Sequence, residues 1–166
     1  PARLALCERA LTAYRFNNLN TKPWSRATRE SLAVQAPEFQ SLFASVARVA
    51  EMSFGIQVAS ITGRELVQFD GDFVPPHVES SALSAIYWID AAASPDHAQG
   101  DHNGSLVLQS PVGPFGTKVL PMEERVRFVD PKPDRLLIFP SHLVHFGHVY
   151  RAVTPSVEVH FEMEIA

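Results

Sequence analysis

A chain of 166 residues with 46% hydrophobic side chains has the length and apolar content for one well-buried core and too little for two comfortable ones. Its formal charge of -4 excludes a basic footprint for nucleic acid, and no run of like charges marks a membrane-binding face, so a small molecule or peptide is the expected substrate. Cys7 is the only cysteine, which excludes an intramolecular disulfide and fits a cytoplasmic setting. No run of about 18 apolar residues offers a membrane span, and no signal-like apolar run follows Pro1-Ala2-Arg3.

The first fifty residues carry helical spacing. Leu4, Leu6, Ala10, Leu11 and Tyr14 recur at intervals of three and four, and Phe39, Leu42, Phe43, Val46 and Val49 repeat the pattern. Asn17-Asn18-Leu19-Asn20 and Lys22-Pro23 supply turn and helix-breaking chemistry between the two predicted helices. Gly55 after Met52-Ser53-Phe54 closes the second, because glycine accepts the left-handed conformation that often ends a helix.

From Ile56 the period shortens, and runs rich in β-branched and aromatic residues alternate with Gly, Pro, Asp and Asn clusters. The predicted strands are 56–61, 64–69, 83–89, 105–109, 117–120, 125–129, 135–139, 144–150 and 156–165, spaced as in a sandwich, jelly roll or barrel. The last is the plainest: Val157, Val159, Phe161, Met163 and Ile165 alternate with Ser156, Glu158, His160, Glu162 and Glu164, giving one packed and one polar face. An α+β, mainly β architecture follows, as a single domain over 1–166 with 1–54 as helical support and 55–166 as the β part. The prolines fall mostly in the connections, notably Pro75-Pro76, Pro111, Pro114, Pro131 and Pro133.

His77 and Glu79 lie two apart in Pro75-Pro76-His77-Val78-Glu79, and in extended backbone that spacing puts both on one face. His145, near the start of a late strand, is the natural third ligand, expected to face the pair across a barrel. Two imidazoles and a carboxylate on one side of a metal leave positions open, as non-haem iron(II) oxygen chemistry requires. His142, His145 and His148 recur every third residue, but strand parity would aim only one of them at a shared ion. Asp96-His97-Ala98-Gln99-Gly100-Asp101-His102-Asn103 groups further ligand types, yet its aperiodic, turn-rich setting reads as a solvated loop that could act as a lid. Phosphate loops, nucleophile elbows and paired cysteines are absent, and Cys7 reads as a small core residue.

The stretch from about Gln68 to Phe161 resembles the 2-oxoglutarate and iron(II) dependent oxygenases related to prolyl hydroxylases. The resemblance rests on Pro76-His77-Val78-Glu79, Leu83-Ser84-Ala85-Ile86-Tyr87-Trp88-Ile89, Asn103-Gly104-Ser105-Leu106, and Asp134-Arg135-Leu136-Leu137-Ile138-Phe139-Pro140-Ser141 leading to Leu143-Val144-His145. It implies a double-stranded β-helix, the jelly roll or cupin-like barrel, with His77, Glu79 and His145 holding Fe(II) and 2-oxoglutarate as co-substrate for hydroxylation of a C–H bond. The chain departs from the family twice. Glu79 stands where aspartate is usual, and Thr154-Pro155-Ser156-Val157-Glu158-Val159-His160-Phe161 lacks the last-strand arginine that usually receives the acid's distal carboxylate. Arg151 is then the nearest guanidinium in sequence, with Tyr87 and Ser84 as further polar contacts to the bound acid. The missing arginine leaves open a cupin-like metalloprotein acting without 2-oxoglutarate, or a non-catalytic barrel.

Overall fold

The computed structural model describes residues 2–17, 37–110 and 125–166, with the side chains of 13–17 left aside. The predicted connector around Asn18–Pro23, the Tyr14 side chain, Pro111, Pro114 and the 117–120 strand lie outside the described residues. Two helices lead, α1 (Ala2–Asn17) and α2 (Pro37–Phe54). Gly55 ends α2 at φ +65°, its N–H donating to Glu51 O at 2.9 Å, the left-handed cap expected of glycine there.

Eight strands follow among the described residues: β1 (Val58–Gln68), β2 (Val74–His77), β3 (Leu83–Asp90), β4 (Leu106–Gln109), β5 (Val126–Val129), β6 (Arg135–Pro140), β7 (Val144–Gly147) and β8 (Ser156–Ile165). They form two antiparallel four-stranded sheets, β1-β8-β3-β6 and β2-β7-β4-β5, whose interleaved order is that of a jelly roll. The two short strands expected over 56–69 are one. β1 runs unbroken through Gly63 because β8 pairs with it from Val58↔Ile165 to Gln68↔Ser156. β2 was no separate expectation; its Pro75 and Pro76 lack N–H donors and are tolerated because β2 lies at a sheet edge, pairing β7 only at Val74↔Gly147 and His77↔His145.

Alternation divides the interior in two. Val157, Val159, Phe161 and Met163 of β8 join Leu83, Ala85 and Ile89 of β3 against Leu6, Ala10, Phe39, Val46 and Ala50 of the helices. Ile86, Trp88, Leu106 and Phe139 fill the space between the sheets. The polar face of β8 is not a solvated one: Ser156 and Glu158 are buried, and by strand parity with Ile86 and Trp88 the even-numbered side chains point between the sheets. No helix among the described residues is long and apolar enough to cross a membrane.

Candidate metal centre

His77 ends the edge strand β2 and faces His145 of β7 directly across the ladder, so the two rings lie 4.1 Å apart between centroids. His145 therefore comes from the neighbouring strand rather than from across the barrel. The reason is long-range register, which local sequence does not encode. Glu79 lies two residues past the end of β2, where its backbone N–H donates to Ser141 O at 3.2 Å. That bond ties the acid to the Phe-Pro-Ser corner, and the carboxylate reaches back so that its Oε1 is 3.5 Å from His77 Nε2. One donor atom from each of His77, Glu79 and His145 falls within 4.8 Å of the other two.

Both imidazoles have a set tautomer. His77 Nδ1–H donates to Pro75 O at 2.8 Å and His145 Nδ1–H to Leu143 O at 2.9 Å, since a carbonyl can only accept. Each Nε2 is then the nitrogen left to face an ion, the arrangement that carbonyl acceptors on Nδ1–H impose on metal-binding histidines. His145 is buried and packs edge-on against Phe139, 4.9 Å away. Burial first, opposed by the Leu143 carbonyl and aided by His77 and His160, lowers its pKa to about 4, so the ring stays neutral and able to bind a cation at pH 7. A pair of imidazoles and one carboxylate suit a borderline divalent ion with open positions.

Glu79 and His145 line a small cavity of about 10 Å³ together with Arg64, Ser84, Ile86, Phe139, His160 and Glu162, while His77 is not among its lining residues. No family model and no curated protein matches the sequence. The fold is matched by a prolyl-4-hydroxylase from Pseudomonas putida at 14% identity, covering 98% of this chain and 80% of that one with a TM-score of 0.63. A prolyl hydroxylase from Trichoplax adhaerens, in complex with a hypoxia inducible factor oxygen degradation domain peptide fragment, matches at 15% identity, 98% and 78% coverage and a TM-score of 0.63. A 2OG-Fe(II) oxygenase family oxidoreductase from Burkholderia pseudomallei matches at 11% identity over 79% of this chain and 60% of that one, with a TM-score of 0.55. The chain has the fold of the prolyl-hydroxylase-type 2-oxoglutarate and iron(II) oxygenases.

Within that oxygenase fold, the three residues expected to meet the co-substrate scatter. Ser84 lines the cavity, with its hydroxyl 2.8 Å from that of Ser141, which also meets the Ser81 hydroxyl at 2.9 Å. Tyr87 leaves β3 on the opposite face, packs by the helices and donates to Asp134 Oδ1 at 2.8 Å; burial and that carboxylate push its pKa up to about 12. Arg151 is exposed beyond β7, its backbone N–H donating to Asn103 Oδ1 at 2.8 Å, and is not among the lining residues. The guanidinium at the cavity belongs instead to Arg64 of β1, whose Nη2 lies 3.1 Å from Glu79 Oε1. Sequence reasoning passed over Arg64 because the expected break at Gly63 put it at a strand start. A cation inside an alternating strand was the available signal.

His142 is exposed, and His148 joins a second group on the outward side of the β2-β7-β4-β5 sheet. His102 stacks on Phe128 at 4.2 Å and shares a 2.7 Å hydrogen bond between its Nδ1 and that of His97, whose Nε2 meets Asp130 Oδ1 at 2.7 Å. Phe128 pairs with Val107, which pairs with Phe146, one step out of phase with His145, so this cluster and the triad occupy opposite faces. The 91–104 loop is thereby fastened outside the barrel, with Gly104 N–H donating to Val149 O at 3.1 Å and Asn103 Nδ2 to Arg151 O at 2.9 Å, rather than laid over the triad as a lid. Cys7 is half-buried beside the helix-facing core, and desolvation first raises its thiol pKa.

Proposed function

We propose that this protein is an Fe(II) and 2-oxoglutarate dependent oxygenase that hydroxylates a C–H bond of a peptide or small molecule, with His77, Glu79 and His145 as its iron ligands. The observation that carries the reading is the convergence of two tautomer-fixed imidazoles and one carboxylate within 4.8 Å of one another on a jelly-roll fold. Bound iron would supply activation of dioxygen and oxidation of the co-substrate to succinate and carbon dioxide. The chain's own part is to present three ligands on one side, to keep His145 neutral and to wall the cavity with Ile86 and Phe139 against water. A peptide substrate is supported by the peptide seated on the Trichoplax adhaerens relative in fold. Residues 1–166 act together in this reading, the helices backing the sheet that carries Arg64 and His160.

Iron titration and succinate release test it. Wild type is expected to bind one Fe(II) and to release succinate from 2-oxoglutarate, whereas His77→Ala and His145→Ala lose both; tight iron binding without any succinate would sink the co-substrate. A second reading, a cupin-like metalloprotein that works without 2-oxoglutarate, is favoured by the cavity-facing side of β8, which offers Glu158, His160 and Glu162 in place of an arginine. It predicts metal binding that no keto acid strengthens.

A further inference from the structure

The 91–104 loop carries histidines of its own, on the outward face of the β2-β7-β4-β5 sheet and so away from the triad. Its backbone brings two of them together. Asp96 Oδ1 accepts from the N–H groups of Ala98 and Gln99, Gly100 turns the chain at φ +74°, and the Asp96↔Asp101 bridge closes the turn. Asp101 Oδ1 accepts from the Asn103 N–H, so the loop's carboxylates serve its backbone while the imidazoles of His97 and His102 face each other, their Nδ1 atoms 2.7 Å apart. His148, whose backbone N–H donates to Ser105 O at 2.9 Å, brings a third ring with its centroid 5.1 Å from that of His102.

Asp130 decides which nitrogen of His97 is free. Its Oδ1 lies 2.7 Å from His97 Nε2, and an ionised carboxylate only accepts, so Nε2 bears the proton and the Nδ1 of the neutral ring presents its lone pair to His102. A carboxylate on the far nitrogen is the outer partner that orients a metal-binding imidazole and raises its basicity. In the metal-free protein the His102 Nδ1–H donates to that lone pair. An ion can take both nitrogens once His102 carries its proton on Nε2 instead, a change that leaves the charge of the ring as it was. Two nitrogens bound to a tetrahedral zinc stand about 3.3 Å apart, so the pair has to open by roughly 0.6 Å. Burial first, then His102 and His97, lower the pKa of His148 and favour its neutral, ligand-competent form. We propose that His97, His102 and His148 form a second metal site, for zinc, with Asp130 as the residue that orients His97. His148 reaches the ion by a turn of its ring, and water takes the fourth position. Three imidazoles without an oxygen ligand from the protein favour zinc over manganese, magnesium or calcium. The ion clamps the loop between β3 and β4 to the segments that follow β5 and β7.

Zinc titration by calorimetry on the full chain tests it. The variant His77→Ala/His145→Ala lacks two donors of the triad and is expected still to bind one equivalent of zinc. Adding His97→Ala and His102→Ala should remove that equivalent, and Asp130→Asn, which keeps the shape of the side chain without its charge, should weaken it on the order of tenfold. His148→Ala should weaken it as well. No zinc bound by His77→Ala/His145→Ala, zinc that persists without His97 and His102, or an affinity untouched by His148→Ala overturns the proposal. If the combined variants do not fold, wild type is compared with His97→Ala/His102→Ala, where the expected difference is one equivalent and equal stoichiometry refutes the site. The imidazole nitrogen resonances of wild type give a second readout. Zinc should move those of His97 Nδ1 and His102 Nδ1, whereas a pair that only shares a proton leaves them where they were and overturns the assignment.

Discussion

At the scale of single residues, His145 couples the site to pH. Its folded pKa, lowered to about 4 from 6.5, means that the unfolded chain binds the proton more readily between those values. Stability from this residue is intact above about pH 6.5 and is lost as pH falls toward 4, the direction that linkage requires for a histidine with a depressed pKa. Urea unfolding of metal-free protein across that range should show a decline that His145→Gln flattens; identical slopes for the two would contradict the burial argument. Ser141 makes a second prediction. Its hydroxyl serves both Ser81 and Ser84 while its carbonyl holds the Glu79 backbone; Ser81 keeps a bond to Leu83 O, so Ser141→Ala leaves the buried Ser84 hydroxyl short of a partner. A loss of about 1–3 kcal/mol is expected, read as a lower denaturant midpoint with an unchanged slope.

Among the elements, β1 matters most because it bears Arg64 between the sheets on one side and packs the helices on the other. Gly63 makes that double duty possible. A Cβ there would lie 2.8 Å from Phe43 Cζ of α2, 3.0 Å from His160 O and 3.1 Å from Phe161 Cδ1. Gly63→Ala should therefore cost roughly 1–3 kcal/mol through overpacking. Thermal denaturation of that variant beside wild type checks it, an unchanged Tm contradicting the close approach of Phe43. Gly63 explains the misread strand too: glycine inside a strand pattern suggests a break, and here it marks a close approach by an aromatic ring instead.

For the whole molecule, binding of an ion by three residues from β2, its following turn and β7 should couple to folding, because the unfolded chain does not hold them together. Manganese at about 100 times its dissociation constant should add about 2.7 kcal/mol, or several degrees in Tm, to wild type and nothing to His145→Ala. A similar Tm rise in that variant would place the ion elsewhere, with the outward His97, His102 and Asp130 cluster the first place to look.

What the sequence by itself determined was local: the two helices, the Gly55 cap and the alternation of β8, each written in residues within a few positions of one another. The tertiary structure decided what depends on pairing between distant segments. It set His77 directly opposite His145, turned Glu158 and His160 inward, moved Tyr87 and Arg151 away from the cavity and brought Arg64 to Glu79. Parity along one strand is a local property, but which strand lies beside it, and in what register, is fixed only when the sheets close around a shared core.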